Sequence, residues 1–238
     1  DDEGIFFVKD LNRAGVDFHQ VDPSSGITGK CLVMISPDAE RTMNTYLGAS
    51  LELSYREVDE EALAASDWLY IEGYVVTDDE RTAVARDAMI FAKKSGVKTS
   101  LSLSDPFVVE VFSDNIKTII GDDGVDLIFC NGDEARSFTG THTVEAAAEE
   151  LKKYAKTFAI TRGAGGSLVF DGTNMIHTPG VLASAVDTNG AGDMFAGSFL
   201  YALGLGKDFA WAAEFANAAS SRVVSQFGPR IRVIEYIS

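Results

Sequence analysis

From residue 59 onward, hydrophobic positions alternate between two spacings along the chain. Short apolar runs, typical of buried strands, occur at 68–71, 98–103, 125–130 and 157–161. Between these runs, apolar side chains recur every three or four residues, as on one face of a helix, over 81–94, 107–119 and 144–154. Strands that alternate with helices predict an α/β fold, in which a mainly parallel sheet is covered by helices on both faces.

Local sequence motifs predict where several of these elements begin or turn. Thr77 and Glu80 have the spacing of a capping box, which predicts a helix start just before Arg81. A turn at Asp171-Gly172 predicts a hairpin of 167–170 with 174–178. The Ala-rich C-terminal third predicts two helices, over 194–203 and 209–224.

The segment before residue 59 has a different pattern. Thr28–Ile35 and Arg41–Tyr46 alternate like two antiparallel strands joined through residues 36–39. A hairpin outside the α/β pattern predicts a partial β lid at about residues 26–48. No repeat or Pro-rich linker interrupts the sequence, so we expect residues 1–238 to form a single domain.

Composition narrows the class of protein. The 238 residues are 46% hydrophobic and 24% charged, which suits a sizeable core, and no apolar run approaches the ~20 residues of a membrane span. A net charge of −16 argues against a nucleic-acid partner, because phosphates would be repelled. We expect a small-molecule substrate and no membrane partner; the oligomeric state is left open.

The two cysteines and three histidines bear on redox and metal chemistry. Cys31 and Cys130 both adjoin apolar, strand-like residues, so we expect buried free thiols rather than a disulfide, as in a reducing cytoplasm. With few histidines and no CxxC motif, we expect no transition-metal site.

The stretch Asp187-Thr188-Asn189-Gly190-Ala191-Gly192-Asp193 lies between a strand-like lead at 181–186 and a helical pattern. A Gly-Ala-Gly turn at a helix start lets backbone N–H groups approach an anion at the positive end of the helix dipole. The carboxylate of Asp193 would stand beside that anion hole, where a base for a hydroxyl nucleophile is needed. The alternative is an ordinary strand–turn–helix junction with Asp193 as the helix cap.

Other polar residues follow the predicted strands. Asp105, Asn131 and Thr161 fall at carboxyl ends, where parallel sheets build their sites. Asn131 with Glu134 also has the pattern of a polar helix start. The Gly-rich loop 161–166 could be only a tight turn; a dinucleotide-binding loop is disfavoured by its spacing and by the strand that follows.

The string DTNGAGDMFAG, residues 187–197, resembles the signature of the ribokinase-like (PfkB) family of carbohydrate and nucleoside kinases. The resemblance implies a three-layer fold with a small β lid, and transfer of the γ-phosphate of ATP to a hydroxyl group. It also implies that Asp193 is the catalytic base and that Gly190, Ala191 and Gly192 form the anion hole.

The same resemblance assigns further residues to ATP and Mg²⁺. Asn131 and Glu134 match the family's NxxE pattern, in which the Glu organises Mg²⁺ and phosphate through water. The loop 161–166 matches a T-x-G-x-x-G stretch beside the nucleotide. The residues assigned to ATP are therefore Asn131, Thr161, Gly163 and Gly166, with Asn217, Phe227 and Gly228 where the family builds its adenine pocket, although helix packing explains the last three equally well.

Asp187 is the candidate for a monovalent cation, which relatives often bind beside the anion hole. Asn44 and Tyr46 on the lid, and Asp105 at a strand end, are the candidates for substrate contacts, with simple lid packing as the alternative for the first two.

Two observations bear on the acceptor. The lid segment RTMNTYLGAS resembles the adenosine-kinase-like branch more than ribokinase, so a nucleoside ranks first and a free sugar such as ribose, fructose or ketodeoxygluconate second. The N-terminal Gly-Gly motif and sugar-gripping Asp of the family are not found, and we expect this chain to lack an N-terminal segment. A non-catalytic nucleotide- or sugar-binding protein on the same fold is the alternative of another class.

Overall fold

A computed structural model describes residues 1–19, 26–36 and 41–231. Its larger sheet has six strands whose spatial order follows the chain. The first four are parallel, and the last two continue antiparallel, which confirms the mainly parallel sheet and the terminal hairpin. These strands are β3 (Trp68–Glu72), β4 (Lys98–Ser102), β5 (Val125–Asn131), β6 (Ala155–Thr161), β7 (Ser167–Phe170) and β8 (Met175–Thr178).

The helices connect these strands and cover both faces of the sheet. Among the described residues, no helix is long and apolar enough to cross a membrane. The helices are α1 (Asp2–Arg13), α2 (Glu60–Ala64), α3 (Asp79–Lys94), α4 (Pro106–Ile120), α5 (Gly132–Thr139), α6 (Val144–Leu151), α7 (Ala191–Gly204) and α8 (Phe209–Val223). Short 3₁₀ turns occupy Gly48–Glu52, Tyr55–Glu57, Gly73–Thr77 and Gly163–Gly165.

Two hydrophobic clusters lie on opposite faces of the sheet because successive strand residues point to opposite sides. On one face, Ile128 and Phe158 pack with the apolar residues of α3 to α6. On the other, Phe129 packs with Phe195 and Phe199 of α7, and the alanines of α8 complete the cluster. The predicted three-layer architecture is thereby confirmed.

The small sheet pairs β1 (Lys30–Ile35) with β2 (Arg41–Tyr46) in antiparallel register, as predicted. Residues 37–39 of the predicted connection lie outside the described residues. Both cysteines are free, but Cys31 is exposed on β1, so its predicted burial is wrong. A two-stranded sheet cannot cover both of its own faces, whereas Cys130 on central β5 is buried.

Two local predictions are corrected by backbone hydrogen bonds. The cap of α3 is Asp78, whose carboxylate accepts from Arg81 N at 2.8 Å, and the Thr77 hydroxyl instead donates to the carbonyl of Tyr74. Asp is as good an N-cap as Thr, so the spacing of Thr77 and Glu80 misplaced the cap. The strand-like lead at 181–186 is not a strand: Val186 N donates to the carbonyl of Val224, just past α8, at 2.8 Å.

We expect Phe199→Ala to lower the free energy of unfolding by about 3–5 kcal/mol, because it empties a fully buried site. Phe199 packs against Phe129, Phe195 and Phe209 with ring centroids 5.4–5.8 Å apart. Urea unfolding measures the change. The control is Phe107→Ala: because Phe107 is 66% exposed, its truncation should change the free energy of unfolding little. Equal losses of stability in the two variants would contradict the packing argument.

Candidate active site

The carboxyl ends of the parallel strands form one edge of the large sheet. Glu72 on β3 pairs with Ser102 on β4, and Asn131 on β5 pairs with Thr161 on β6. Asp105 follows β4 on the same edge. The register thus brings together three of the predicted site residues, as expected of parallel sheets.

Helix α7 reaches the same edge through aromatic packing. Phe195 and Phe199 contact Phe129 with ring centroids 6.4 and 5.7 Å apart. Phe129 lies two residues before the end of β5, so the first turn of α7 stands beside the carboxyl edge. Asp193, in that turn, is exposed there although no strand leads into it.

The turn before α7 depends on glycine at position 190. Gly190 is the N-cap, with a φ of 77°, and a Cβ there would lie 2.5 Å from the carbonyl oxygen of Pro229. No side chain caps this helix, so Asp193 does not act as its cap. Ala191 N donates to the carbonyl of Thr188 at 3.3 Å.

The N–H groups of Gly192 and Asp193 remain open at the start of α7. Neither donates to an acceptor in the part of the chain that the structure describes. Such N–H groups, at the positive end of the helix dipole, form an anion-binding site. A carboxylate therefore stands immediately beside a place for an anion.

The buried carboxylate of Asp187 holds this turn in place through hydrogen bonds. It is only 1% exposed; its Oδ1 accepts from Asn189 N and its Oδ2 from Gly228 N, both at 2.8 Å. The carboxylate thereby clasps the turn to the segment after α8. Its two oxygens keep further lone pairs, so a monovalent cation at Asp187 stays a prediction.

Asn131 and Glu134 form a complete capping box at the start of α5, a helix that the periodicity did not predict. Glu134 accepts from Asn131 N at 2.9 Å and from Asn131 Nδ2 at 2.6 Å, and the Asn131 Oδ1 accepts from the N–H groups of Asp133 and Glu134. The alternative of a polar helix start is therefore confirmed. Glu134 is 5% exposed, and its predicted contact to Mg²⁺ through water stays a prediction.

No group of three or more His, Cys, Asp or Glu side chains suited to hold a metal directly occurs among the residues described.

The loop 162–166 is the tight connection of the hairpin β6–β7. Arg162 N donates to the carbonyl of Gly166 at 2.8 Å, and Gly163 and Gly166 have positive φ values. A Cβ on Gly166 would lie 2.1 Å from the carbonyl oxygen of Thr178, so glycine is needed for the chain path itself. A strand follows, which excludes a dinucleotide-binding helix here, and the role of Thr161, Gly163 and Gly166 toward ATP stays a prediction.

The predicted adenine residues lie along and after α8. Asn217 is 8% exposed, and its Nδ2 donates to Ser167 Oγ and to the carbonyl of Pro179, both at 3.2 Å. Phe227 is 57% exposed. A cavity of about 390 Å³ lies between Leu182 and the end of α8, where Gln226 helps to line it.

The predicted substrate residues lie in two parts of the fold. Asp105 caps α4, since its Oδ1 accepts from Phe107 N at 2.8 Å. Asn44 and Tyr46 are exposed on β2. A cavity of about 460 Å³ between the Gly73–Thr77 turn and α4 is lined by none of the predicted site residues.

Carboxylates near the carboxyl edge influence the pKa values of two residues on β3. Burial raises the pKa of Tyr70 to about 12, to which the charges of Glu72, Asp193 and Glu134 contribute. Burial, followed by the charge of Asp193, also raises the pKa of Glu72. The sequence analysis missed Glu72; its position at the end of the strand-like run WLYIE was the available signal.

Comparisons with known proteins agree with this geometry. The chain is 29% identical to an adenosine kinase of Dictyostelium discoideum over 98% of its length and 73% of the relative's. It is 30% identical to a ribokinase of Haemophilus influenzae over 91% of its length and 69% of the relative's. The crystal structure of adenosine kinase from Sinorhizobium meliloti superposes with a TM-score of 0.93 at 32% identity, covering 98% of this chain and 72% of that one.

The family model for pfkB family carbohydrate kinases matches residues 1–235. The signature at the start of α7, the three-layer fold and this match agree, and the chain belongs to the pfkB family of carbohydrate kinases, phosphotransferases that act on an alcohol group.

Proposed function

We propose that this family member transfers the γ-phosphate of ATP to a hydroxyl group of a ribonucleoside, with adenosine as the first candidate. The observation that carries the proposal is the open N–H pair of Gly192 and Asp193 beside the Asp193 carboxylate. The similarity to adenosine kinases at 29% and 32% identity supports the choice of a nucleoside.

In the proposed mechanism, Asp193 accepts the proton of the substrate hydroxyl as that oxygen attacks the γ-phosphorus. The open N–H groups of Gly192 and Asp193 stabilise the negative charge that develops on the phosphate oxygens, whereas the Ala191 N–H donates to the carbonyl of Thr188. A preorganised donor of this kind is worth about 3–4 kcal/mol, or roughly a hundredfold to a thousandfold in rate. Because the turn is clasped by Asp187, these donors need no rearrangement during the reaction.

The remaining assignments concern the nucleotide and its ions. Asn131, Thr161, Gly163 and Gly166 would contact ATP, and Asn217, Phe227 and Gly228 would surround the adenine. Glu134 would hold Mg²⁺ through water, and the ion would neutralise phosphate charge when bound. Asp105, Asn44 and Tyr46 are proposed to contact the acceptor.

A free sugar is the second candidate acceptor, favoured by the 30% identity to a ribokinase. A protein that only binds nucleotide or sugar is disfavoured, because such a protein has no chemical need for a base at Asp193. The same measurement separates these alternatives: ATP consumption with Mg²⁺ against adenosine, inosine, ribose, fructose and ketodeoxygluconate. We expect turnover with adenosine; turnover with a sugar alone would select the second candidate.

We expect Asp193→Asn to abolish this turnover while calorimetry still detects ATP binding, since the amide keeps the shape but cannot accept a proton. A loss of about a hundredfold to ten-thousandfold in kcat is expected for the missing base. Asp133→Asn is the matched control, because Asp133 is an exposed first-turn acid of α5. Near-normal turnover of Asp193→Asn would refute the assignment of the base.

Gly192→Val tests the anion hole without disturbing the fold. A Cβ at Gly192 meets no atom within 4 Å, so the variant should fold, but its side chain would stand over the open N–H groups. We expect kcat/KM for ATP to fall at least tenfold. Gly197→Val is the matched control, because Gly197 lies on the same helix and also has open space; equal activity of the two variants would contradict the anion hole.

A monovalent cation at Asp187 is proposed separately. If it binds there, wild-type kcat should be several-fold higher in KCl than in tetramethylammonium chloride at equal ionic strength, because the larger ion cannot enter a buried site. Equal rates in the two salts would exclude this cation.

A further inference from the structure

The segment 228–230, which follows α8, lies directly against the turn that precedes α7. Gly228 N donates to Asp187 Oδ2 at 2.8 Å. Pro229 is so close to the turn that a Cβ on Gly190 would lie 2.5 Å from its carbonyl oxygen. A displacement of this segment would therefore also displace the turn that leads into the open N–H groups of α7.

Burial does not hold this segment in place. None of residues 225–231 is buried, and the segment belongs to no helix or strand. A hydrogen bond from Gln226 Nε2 to the carbonyl of Arg230, 2.6 Å long, draws its two ends together. Because apolar contacts are few here, the position of the segment depends on directional polar contacts of this kind.

The Arg230 side chain joins the segment to α1, at the other end of the chain. Its guanidinium donates to the carboxylate of Asp10, and the two side chains form an ion pair. The Asp10 side chain is 23% exposed, although α1 contains no buried residue. The pair is therefore a polar link between two elements that bury none of their own residues.

Helix α1 is in turn held by the small sheet and the residues before it. The Asp1 carboxylate accepts from Thr28 N at 2.9 Å and from Thr28 Oγ1 at 2.6 Å. Lys30, the first residue of β1, donates to Glu3 at 2.7 Å. A continuous set of polar contacts thus runs from the small sheet through α1 to the segment after α8.

We propose that Arg230 is a positioning residue for phosphoryl transfer. Through its pair with Asp10 it holds the segment 228–230, so that Asp187 keeps the anion-binding turn in its productive geometry. Arg230 itself touches neither ATP nor the acceptor. Its effect on rate rests on the proposed function at Asp193, whereas its effect on the turn does not.

Arg230→Gln removes the ion pair and keeps a polar side chain of similar length. We expect kcat to fall about threefold to tenfold: an exposed pair is weak, but the donors that it aligns act on the transition state. KM for ATP should stay within about twofold, since these donors act mainly on charge that develops during the reaction. Arg86→Gln is the matched control, because Arg86 pairs only with its neighbour Asp87 in the described part of the chain.

A double-mutant cycle tests whether the two side chains act as one unit. Asp10→Asn should reduce kcat as much as Arg230→Gln does, and the double variant should lose no more than either single variant. Asp10→Arg combined with Arg230→Asp reverses the pair and should restore about half of the lost rate or more. Losses that multiply in the double variant would show that the two residues act separately.

Hydrogen exchange without substrate measures the turn directly. The N–H of Asn189 donates to the Asp187 carboxylate, so a less restrained Asp187 should raise the exchange rate of the segment 186–191 by about threefold or more. This increase is expected in Arg230→Gln and Asp10→Asn but not in Arg86→Gln. Tm should change by less than about 2 °C, because an exposed ion pair adds little global stability.

Exchange or kcat equal to that of Arg86→Gln would overturn the positioning role, as would faster exchange throughout the protein with a lowered Tm. Faster exchange at 186–191 in a protein whose wild type shows no turnover would refute the proposed function and leave the effect of Arg230 on the turn established. Absence of both turnover in wild type and faster exchange in the variant would overturn both proposals.

Discussion

The contact of Phe129 with the first turns of α7 is the constraint on which the candidate site depends. Phe129 lies on β5, in the middle of the parallel strands, and its ring meets Phe195 and Phe199 edge-on. Helix α7 enters from a long loop with no strand before it, so no sheet hydrogen bond fixes its position. The buried rings supply that positioning and set where the exposed Asp193 stands.

Burial alone cannot orient the turn that precedes the helix, because apolar contacts have no preferred direction. The buried carboxylate of Asp187 provides direction by accepting two backbone N–H groups from different segments, at Asn189 and at Gly228. Gly190 then allows a path past Pro229 that a side chain would block. Apolar packing thus positions α7, and the hydrogen bonds of Asp187 determine the conformation of the turn that precedes it.

Periodicity was sufficient to predict the sheet, because its strands bury residues that adjoin one another in sequence. Periodicity did not predict the structure of segments whose bonding partners are remote in sequence. The segment 181–186 has strand-like composition, but its backbone bonds to Val224, beyond α8. Helix α5 begins directly after β5, so no loop separates the two patterns, and the exposure of Cys31 follows from a sheet too small to cover it.

The candidate site residues were found by motif, whereas Glu72 was missed because a single carboxylate at a strand end matches no pattern. It is brought near Asp193 by the contacts of Tyr70 with Phe129 and of Phe129 with Phe195. Asn131, Glu134 and Asp105 were selected from the sequence for their chemistry, and the structure shows that they also cap helices. Capping and the proposed chemistry are compatible at these positions, because helices that start at the sheet edge direct their N–H groups toward it.

The last feature of the site is the placement of an anion-binding helix start in an acidic protein. A chain with a net charge of −16 that must hold a triphosphate needs a local site where anions are favoured. The start of α7 provides one through the dipoles of its backbone N–H groups. The carboxylate of Asp193, the proposed base, stands beside it on the same helix turn. In the proposed reaction, a hydroxyl held at the base would be adjacent to a phosphate held at the N–H groups, as in-line transfer requires.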